Sequence, residues 1–551
     1  TFPTFLMVLR KGFFWHYLEP CNLRPIVKEE YKEPCSRLYI RDKKTLLFEV
    51  TYYKKRINFE VFHVLTDGTG ATEFLKELVK NYLYLAHKEE GLEQVALLPE
   101  DMTVQDQEDD SFLKYYSKNQ KRPKKRKLNA FQIRRKKKDG NHLHVHESVV
   151  SVQAVLKRSR ELGVSMTIFL TALFMMAINE EMSKMQKKKP VVLMVPVNLR
   201  KFFPSTSMLN FFNWIEPGYN FTTQDQSFEA VLKYTKEFFE TELTKEKMSA
   251  HISELLALEL HPILRLAPLE LKNLCIQAGA KYSEKNTTAI FSNMSAVKMP
   301  ESYVPYIERF GVYTNTPKLE LCLCSFQDKL SFAFTSRYDT VNIERNFYRL
   351  LKEQGITSEK VKPEFPKAGK PSELEMKVYK IYSFLCIAIV AAMLVTDLNF
   401  HPRIRWTLFT AGGVVTMWIA SSIGFFKRYN LLKNAMWQLI IGTIICFVWD
   451  ALTGWHSWSV DLVLPIMSVS TLAAMFVTAK VQKSPVREYL IYEIMAAGYG
   501  LILPVILLLC GVVKNPTVSM FGALTCFLFL VAVILFKGRE FKEEMQKNLH
   551  V

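Results

Sequence analysis

The chain has 551 residues and a formal net charge of +18 at pH 7, with 49% hydrophobic and 23% charged residues. That length exceeds one ordinary domain, and the positive balance points to a polyanionic neighbour: an anionic membrane leaflet, a phosphate-rich ligand or nucleic acid. Nine cysteines without a C-x-x-C pair exclude a disulfide framework or zinc ribbon and fit a reducing compartment.

The chain starts at Thr1 with no signal-peptide pattern, so a truncated N-terminus is expected. LLFEVTYY (46–53) and INFEVFHV (57–64) flank KKR and predict a β-hairpin whose second strand ends at His63. From Ala71 the stripe Phe74, Leu75, Leu78, Val79, Tyr82 and Leu85 predicts a helix, capped by Asp67 or Thr69. An acidic loop follows, and then a run at 118–138 that holds twelve Lys and Arg. As a solvated linker this run needs no partner. As a functional element it would meet anionic lipid headgroups, each nearby cation contributing roughly 1 kcal/mol, or the phosphates of a ligand; nucleic acid is the least favoured partner. HLHVHESVV (142–150) predicts a strand, and the stretch to Ile178 predicts two helices broken at Gly163. VVLMVPVNLR (191–200), LELCLCSF (319–326) and KLSFAFTSRY (329–338) predict further strands, before a last helix from Ile343. His142, His144 and His146 share one face of a strand, but alternate residues stand ~7 Å apart, too far to share a metal easily, so no metal site is expected.

Near residue 370 the pattern changes. A Pro-rich, charged linker (363–377) leads into six apolar runs at 378–396, 404–424, 434–454, 460–479, 489–513 and 517–536. Each is near the ~20 residues that cross a bilayer core. Of the basic residues flanking these runs, fourteen fall on one side and only Arg403, Arg405 and Lys514 on the other. The positive-inside rule then places both ends of the module, and the region before it, in the cytoplasm. Asp450, His456, Asp461 and Glu493 are expected to snorkel near helix ends, with Trp455 and Trp458 in an outer aromatic belt; a cytoplasmic tail is expected from 538 to 551.

The stretch FEVFHVLTDGTG (59–70) carries the candidate chemistry. Histidine suits proton transfer at neutral pH, and the glycines let a backbone approach a ligand closely. No G-x-S-x-G elbow, Walker loop or H-E-x-x-H occurs, and Glu73 stands where a dinucleotide fingerprint needs its third glycine.

HVLTDG resembles the H-x-x-x-D-G signature of the CoA-dependent acyltransferase superfamily. LGVSMTIFLTALFMMAI and VPVNLRKFFPSTSMLNFF resemble that family's later helix and its P-V-x-L-R … N strand and loop, in the right order. The resemblance spans about residues 1–355 and implies an α/β two-subdomain fold of the chloramphenicol acetyltransferase type over 1–362. The tail (378–537) resembles a six-helix membrane module of bacterial alcohol acetyltransferase-like proteins. The resemblance also implies transfer of an acyl group from acyl-CoA, a co-substrate rather than a bound cofactor, to a hydroxyl-bearing small molecule or lipid at a bacterial cytoplasmic membrane. His63 would be the general base, Asp67 a brace paired with Arg200, and Gly68 an opening for substrate, with Thr69 and Asn210 as candidate oxyanion or acceptor contacts. The plant branch's D-F-G-W-G is absent, and RFGVYTN (309–315) keeps only Phe-Gly. The alternative is a ligand-binding or transport-coupled membrane protein that uses such a domain without turnover.

Overall fold

The hairpin forms as the alternation predicts, and it introduces the first of two compact units. The computed structural model describes residues 2–12, 14–40, 43–96, 103, 107, 109–117, 129–133, 143–338, 340–361, 363–365, 372–400, 405–426, 430–481 and 486–549. Most of the basic run, His142 and the middle of the linker lie outside these residues. The first unit comprises Thr1–Leu9, Leu18–Tyr39 and Thr45–Gly369; the second comprises Arg10–Tyr17, Ile40–Lys44 and Lys370–Val551.

Strands β1 (Met7–Lys11) and β2 (His16–Pro20) form a two-stranded sheet. Strands β3 (Lys28–Glu29), β4 (Phe48–Tyr53) and β5 (Arg56–Val61) form a three-stranded one, with β4 and β5 antiparallel. Helix α1 (Gly68–His87) lies against this sheet, and the Phe74 ring stacks on Phe5 at 4.4 Å and on Phe59 at 4.6 Å. The far end of the expected stripe is not core: Tyr82 is exposed and Leu85 is 74% exposed, because α1 outruns the small sheet and Leu83 takes over the packing.

The larger sheet is built from β6 (His144–Ser151), β7 (Val191–Asn198), β8 (Phe212–Ile215), β9 (Gly218–Tyr219), β10 (Ala289–Ala296), β11 (Glu320–Phe326), β12 (Lys329–Ser336) and β13 (Glu359–Val361). Its order is β13-β6-β12-β11-β10-β7-β8, with β9 beside β7. Strand β10 runs parallel to both β7 and β11, so the sheet is mixed. Every residue of β11 is buried, yet its two faces differ in chemistry. Glu320, Cys322 and Cys324 stand opposite Thr335, Ala333 and Ser331, while Leu321 and Leu323 stand opposite Phe334 and Phe332. Because side chains alternate across a strand, one face is apolar and the other polar.

The apolar face packs on the helices Met166–Glu181 and Asn342–Glu353. Phe174 and Phe347 lie 5.8 Å and 5.4 Å from Phe334. The helix Met166–Glu181 is apolar on nearly all sides, as a helix in the middle of a core must be. It is set off from the preceding helix by Gly163 at φ +65°, where a side chain would be strained. On the polar face Glu147 accepts hydrogen bonds from Arg309 and Tyr313, which anchors the Arg309–Phe310–Gly311 segment to β6.

The second unit contains the helices Ser372–Phe400, Arg405–Phe426, Leu431–Leu452, Leu464–Val481, Val486–Leu509 and Pro516–Leu549. Among the described residues five segments are long and apolar enough to cross a membrane, and the helix Arg405–Phe426 adds a shorter apolar stretch, Thr410–Phe425. The last helix continues to Leu549 past a non-helical Lys537.

The acidic residues of this unit do not snorkel: Asp450, Asp461 and Glu493 are buried. Asp450 accepts from the backbone N–H groups of His456 and Ser459 and from the Ser459 hydroxyl. Asp461 accepts from Ser457 Oγ and from the N–H groups of Lys514 and Asn515. A carboxylate in a dry helix bundle needs such donors, and the connecting loops supply them. Trp455 packs on Phe447 at 5.1 Å.

His144 and His146 face the helix Asn342–Glu353, with His146 Nε2 4.0 Å from Glu344 Oε2. Burial pushes the Glu344 carboxyl up to about 8, against the opposing pull of Lys360. A carboxyl harder to ionise when folded than when unfolded costs nothing at low pH. It costs stability, at about 1.4 kcal/mol per pH unit, as pH rises from the ordinary carboxylate range toward 8. Glu344→Gln should therefore raise the unfolding temperature more at pH 8 than at pH 5; equal shifts at the two values would contradict this origin.

Candidate active site

Strand β5 ends at Val61, and the chain turns at once, so His63 sits in a tight turn and not on the strand. Its ring is exposed and is held from one side. Asn210 Oδ1 lies 2.9 Å from His63 Nδ1, and Asn210 Nδ2 donates to the His63 carbonyl at 2.8 Å. The Nδ2 donation fixes which way the amide faces, so its oxygen meets the ring and requires a proton on Nδ1. The Nε2 lone pair is then the free one. Phe212 flanks the ring at 5.3 Å between centroids.

Asp67 is 5% exposed and uses both carboxylate oxygens. Oδ1 caps α1 by accepting from the backbone N–H groups of Thr69 and Gly70 at 3.0 and 3.2 Å. The extended Asp67 backbone (φ −89°, ψ −176°) is the usual N-cap conformation. Oδ2 accepts from Arg200 Nη1 at 2.6 Å and from the Phe211 N–H at 2.9 Å. The Arg200 guanidinium in turn donates from Nη2 to the carbonyls of Ser207 and Leu209, both at 2.7 Å, and from Nε to Ser207. The planar fork of arginine suits this three-sided grip. One ion pair thus ties the start of α1 to the 207–211 loop, and that loop carries Asn210. Thr66 adds a second tie by donating its hydroxyl to the Met208 carbonyl at 2.6 Å.

The remaining expected residues take specific places. Thr69 accepts at Oγ1 from Asn198 Nδ2 at 3.0 Å and keeps its own hydroxyl proton to donate. Gly68 opens α1, and a Cβ there would fall 2.1 Å from the Met294 methyl, a flexible side-chain end. Gly70 is tighter: a Cβ would fall 2.1 Å from Thr66 Oγ1 and 2.5 Å from the Met208 carbonyl oxygen. The backbone cannot yield there, so Gly70, which the sequence reading passed over, is the stricter glycine.

Asn210, expected as an oxyanion or acceptor contact, has its amide engaged with His63. One further feature was not read from the sequence. Glu320 is a buried acid on the polar face of β11, within electrostatic range of His63. Burial pushes its carboxyl upward, and Thr314, Cys322 and Thr316 oppose that rise. Its Oε2 has no hydrogen-bond partner among the described residues. In LELCLCSF it looks like a strand interruption, and only the register puts it on the polar face.

Removing Arg200 leaves Asp67 as a buried, unpaired charge, which costs about 3–5 kcal/mol. Arg200→Ala should lower the unfolding temperature markedly, and Arg200→Lys should recover only part, since an ammonium cannot span Asp67, Ser207 and Leu209 together. Gly70→Ala should be as damaging through its clash with the Met208 carbonyl, whereas wild-type melting in Arg200→Ala would remove the pair from its central role.

Residues 26–293 match the family model described as alcohol acetyltransferase, and residues 365–551 match a family of unknown function (DUF6320). No curated protein matches. Among solved structures, the chain is similar to the epimerization domain from the third module of tyrocidine synthetase B (12% identity, 64% of this chain and 85% of that chain, TM-score 0.38). It is also similar to polyketide synthase associated protein 5 from Mycobacterium tuberculosis (12% identity, 64% and 86%, TM-score 0.42). A third is the TRI3 trichothecene 15-O-acetyltransferase from Fusarium sporotrichioides (12% identity, 56% and 70%, TM-score 0.35). On the family match, residues 26–293 carry an acyltransferase domain similar to the alcohol acetyltransferases.

Proposed function

We propose that this chain is a membrane-anchored acyltransferase that moves an acyl group from a CoA thioester to a hydroxyl, with His63 as general base. The observation that carries the reading is the Asn210 clamp, which commits Nδ1 to donation and leaves Nε2 to accept a proton. His63 Nε2 takes the proton from the acceptor hydroxyl while that oxygen attacks the thioester carbonyl. The tetrahedral oxyanion is met by the Thr69 hydroxyl. Collapse breaks the carbon–sulfur bond, and the imidazolium returns its proton to the departing CoA thiolate. No covalent enzyme intermediate forms. Asp67 and Arg200 act at one remove, by holding the loop that presents Asn210.

His63→Ala should lower acyl transfer by about 10²–10⁴-fold, read as free thiol released from acyl-CoA in the presence of alcohols. Because the ring is exposed, the unfolding temperature should stay at the wild-type value. Asn210→Ala should lower transfer less. Undiminished turnover in His63→Ala would remove it as the base, and binding without turnover in the wild-type chain would favour the transport-coupled alternative.

The five long apolar helices, with the shorter Thr410–Phe425 stretch as a sixth crossing, and the asymmetry of the basic residues support insertion with the first unit in the cytoplasm. Cys510, exposed just past the helix Val486–Leu509, then lies on the outer side. A membrane-impermeant thiol reagent should label it in intact cells, and Cys510→Ser should abolish that labelling. Labelling that appears only after lysis would invert the orientation.

A further inference from the structure

The first unit has one dense exposed apolar region that catalysis does not use. The helices Lys245–Glu259, Pro262–Leu266 and Leu269–Glu284 follow one another closely in sequence. In and between them Leu258, Ile263, Leu266, Leu271, Leu274 and Ile276 are each more than half exposed, Ile263 reaching 73%. Along the last helix Leu271, Leu274, Cys275, Ala278 and Tyr282 recur at the spacing of one face, and all five are exposed. That helix is held at its two ends: Leu269 and Lys272 are its buried residues, Lys272 Nζ donates to the Arg265 carbonyl at 3.2 Å, and the carbonyl of its C-cap Lys285 accepts from the Ala130 N–H at 3.0 Å. Elsewhere in the unit exposed large apolar side chains are more scattered, apart from the shorter group Leu23, Ile26, Val27 and Tyr31. A run this dense marks a surface that is covered in use.

What covers it follows from the rest of the chain. Among its described residues the same polypeptide carries five helices long and apolar enough to cross a membrane, so on the membrane-anchored reading the first unit is held at a lipid surface. An apolar helical stripe flanked by the exposed cations Arg265, Lys281 and Lys285 has the composition of an element lying in the headgroup–acyl boundary. We propose that Leu258–Tyr282 is such an interfacial element and that a phospholipid bilayer is its partner. It would bring the acyltransferase unit down to the lipid surface by a contact separate from the spanning helices, and so favour an acceptor that partitions into the membrane.

Cys275 lies on the stripe and is exposed, which makes it a native reporter. The full chain carrying Cys510→Ser is labelled at Cys275 with an environment-sensitive maleimide and placed in phosphatidylcholine nanodiscs. Doxyl-labelled phosphatidylcholine should quench most of the emission while aqueous iodide has little effect, and Leu271→Glu with Leu274→Glu should reverse the two. Iodide quenching without doxyl quenching would show a solvent-exposed hairpin and overturn the proposal. Quenching by neither would show a protein-covered patch and overturn it equally. Failure of membrane anchoring itself would read differently, as chain that stays in solution without lipid or detergent.

Discussion

The buried ion pair between Asp67 and Arg200 organises the acyltransferase unit around its candidate catalytic histidine. It joins two backbone segments, the start of α1 and the 207–211 loop, through the Phe211 N–H and the Ser207 and Leu209 carbonyls. A buried pair of charges contributes little stability by itself. This one is sustained because every lone pair and N–H around it meets a backbone partner, and those partners belong to segments more than a hundred residues apart. The pair converts a long-range chain closure into a fixed loop, and the fixed loop delivers Asn210 to His63.

The histidine needs that indirect support because it stands alone and exposed in a turn. An exposed ring rotates freely and exchanges tautomers unless something holds one nitrogen. Asn210 supplies the hold with both ends of its amide, one on the ring and one on the main chain. The cost of a misplaced Asn210 is therefore chemical more than structural. Gly70 belongs to the same device, since the close approach of α1 to the Met208 carbonyl leaves no room for a Cβ.

The second unit meets a related constraint in a drier setting. Its buried Asp450 and Asp461 are satisfied by backbone N–H groups of the connecting loops, so the loops are ordered by the acids that a bundle would otherwise exclude. In both units a carboxylate gathers donors from distant segments. In the first, the product is a positioned histidine; in the second, it is a closed end to a helix bundle.

How much of this was legible depends on the range of the forces involved. The hairpin, the cap at Asp67, the break at Gly163 and the apolar helices follow from local periodicity and turn chemistry, which act over a few residues. The motif His63–Gly68 and the partner Arg200 were readable through resemblance to a known family. The buried position of Asp450 and the exposed end of α1 were not, since burial is decided by what else arrives at the same place. Nor was Glu320, because an acid in LELCLCSF reveals its face only once β11 is in register with β12. The sequence by itself determined the elements, the two regimes of the chain and the reactive residue types. Only the tertiary structure decided which atom of His63 is free, because that rests on an amide 147 residues away being turned one way.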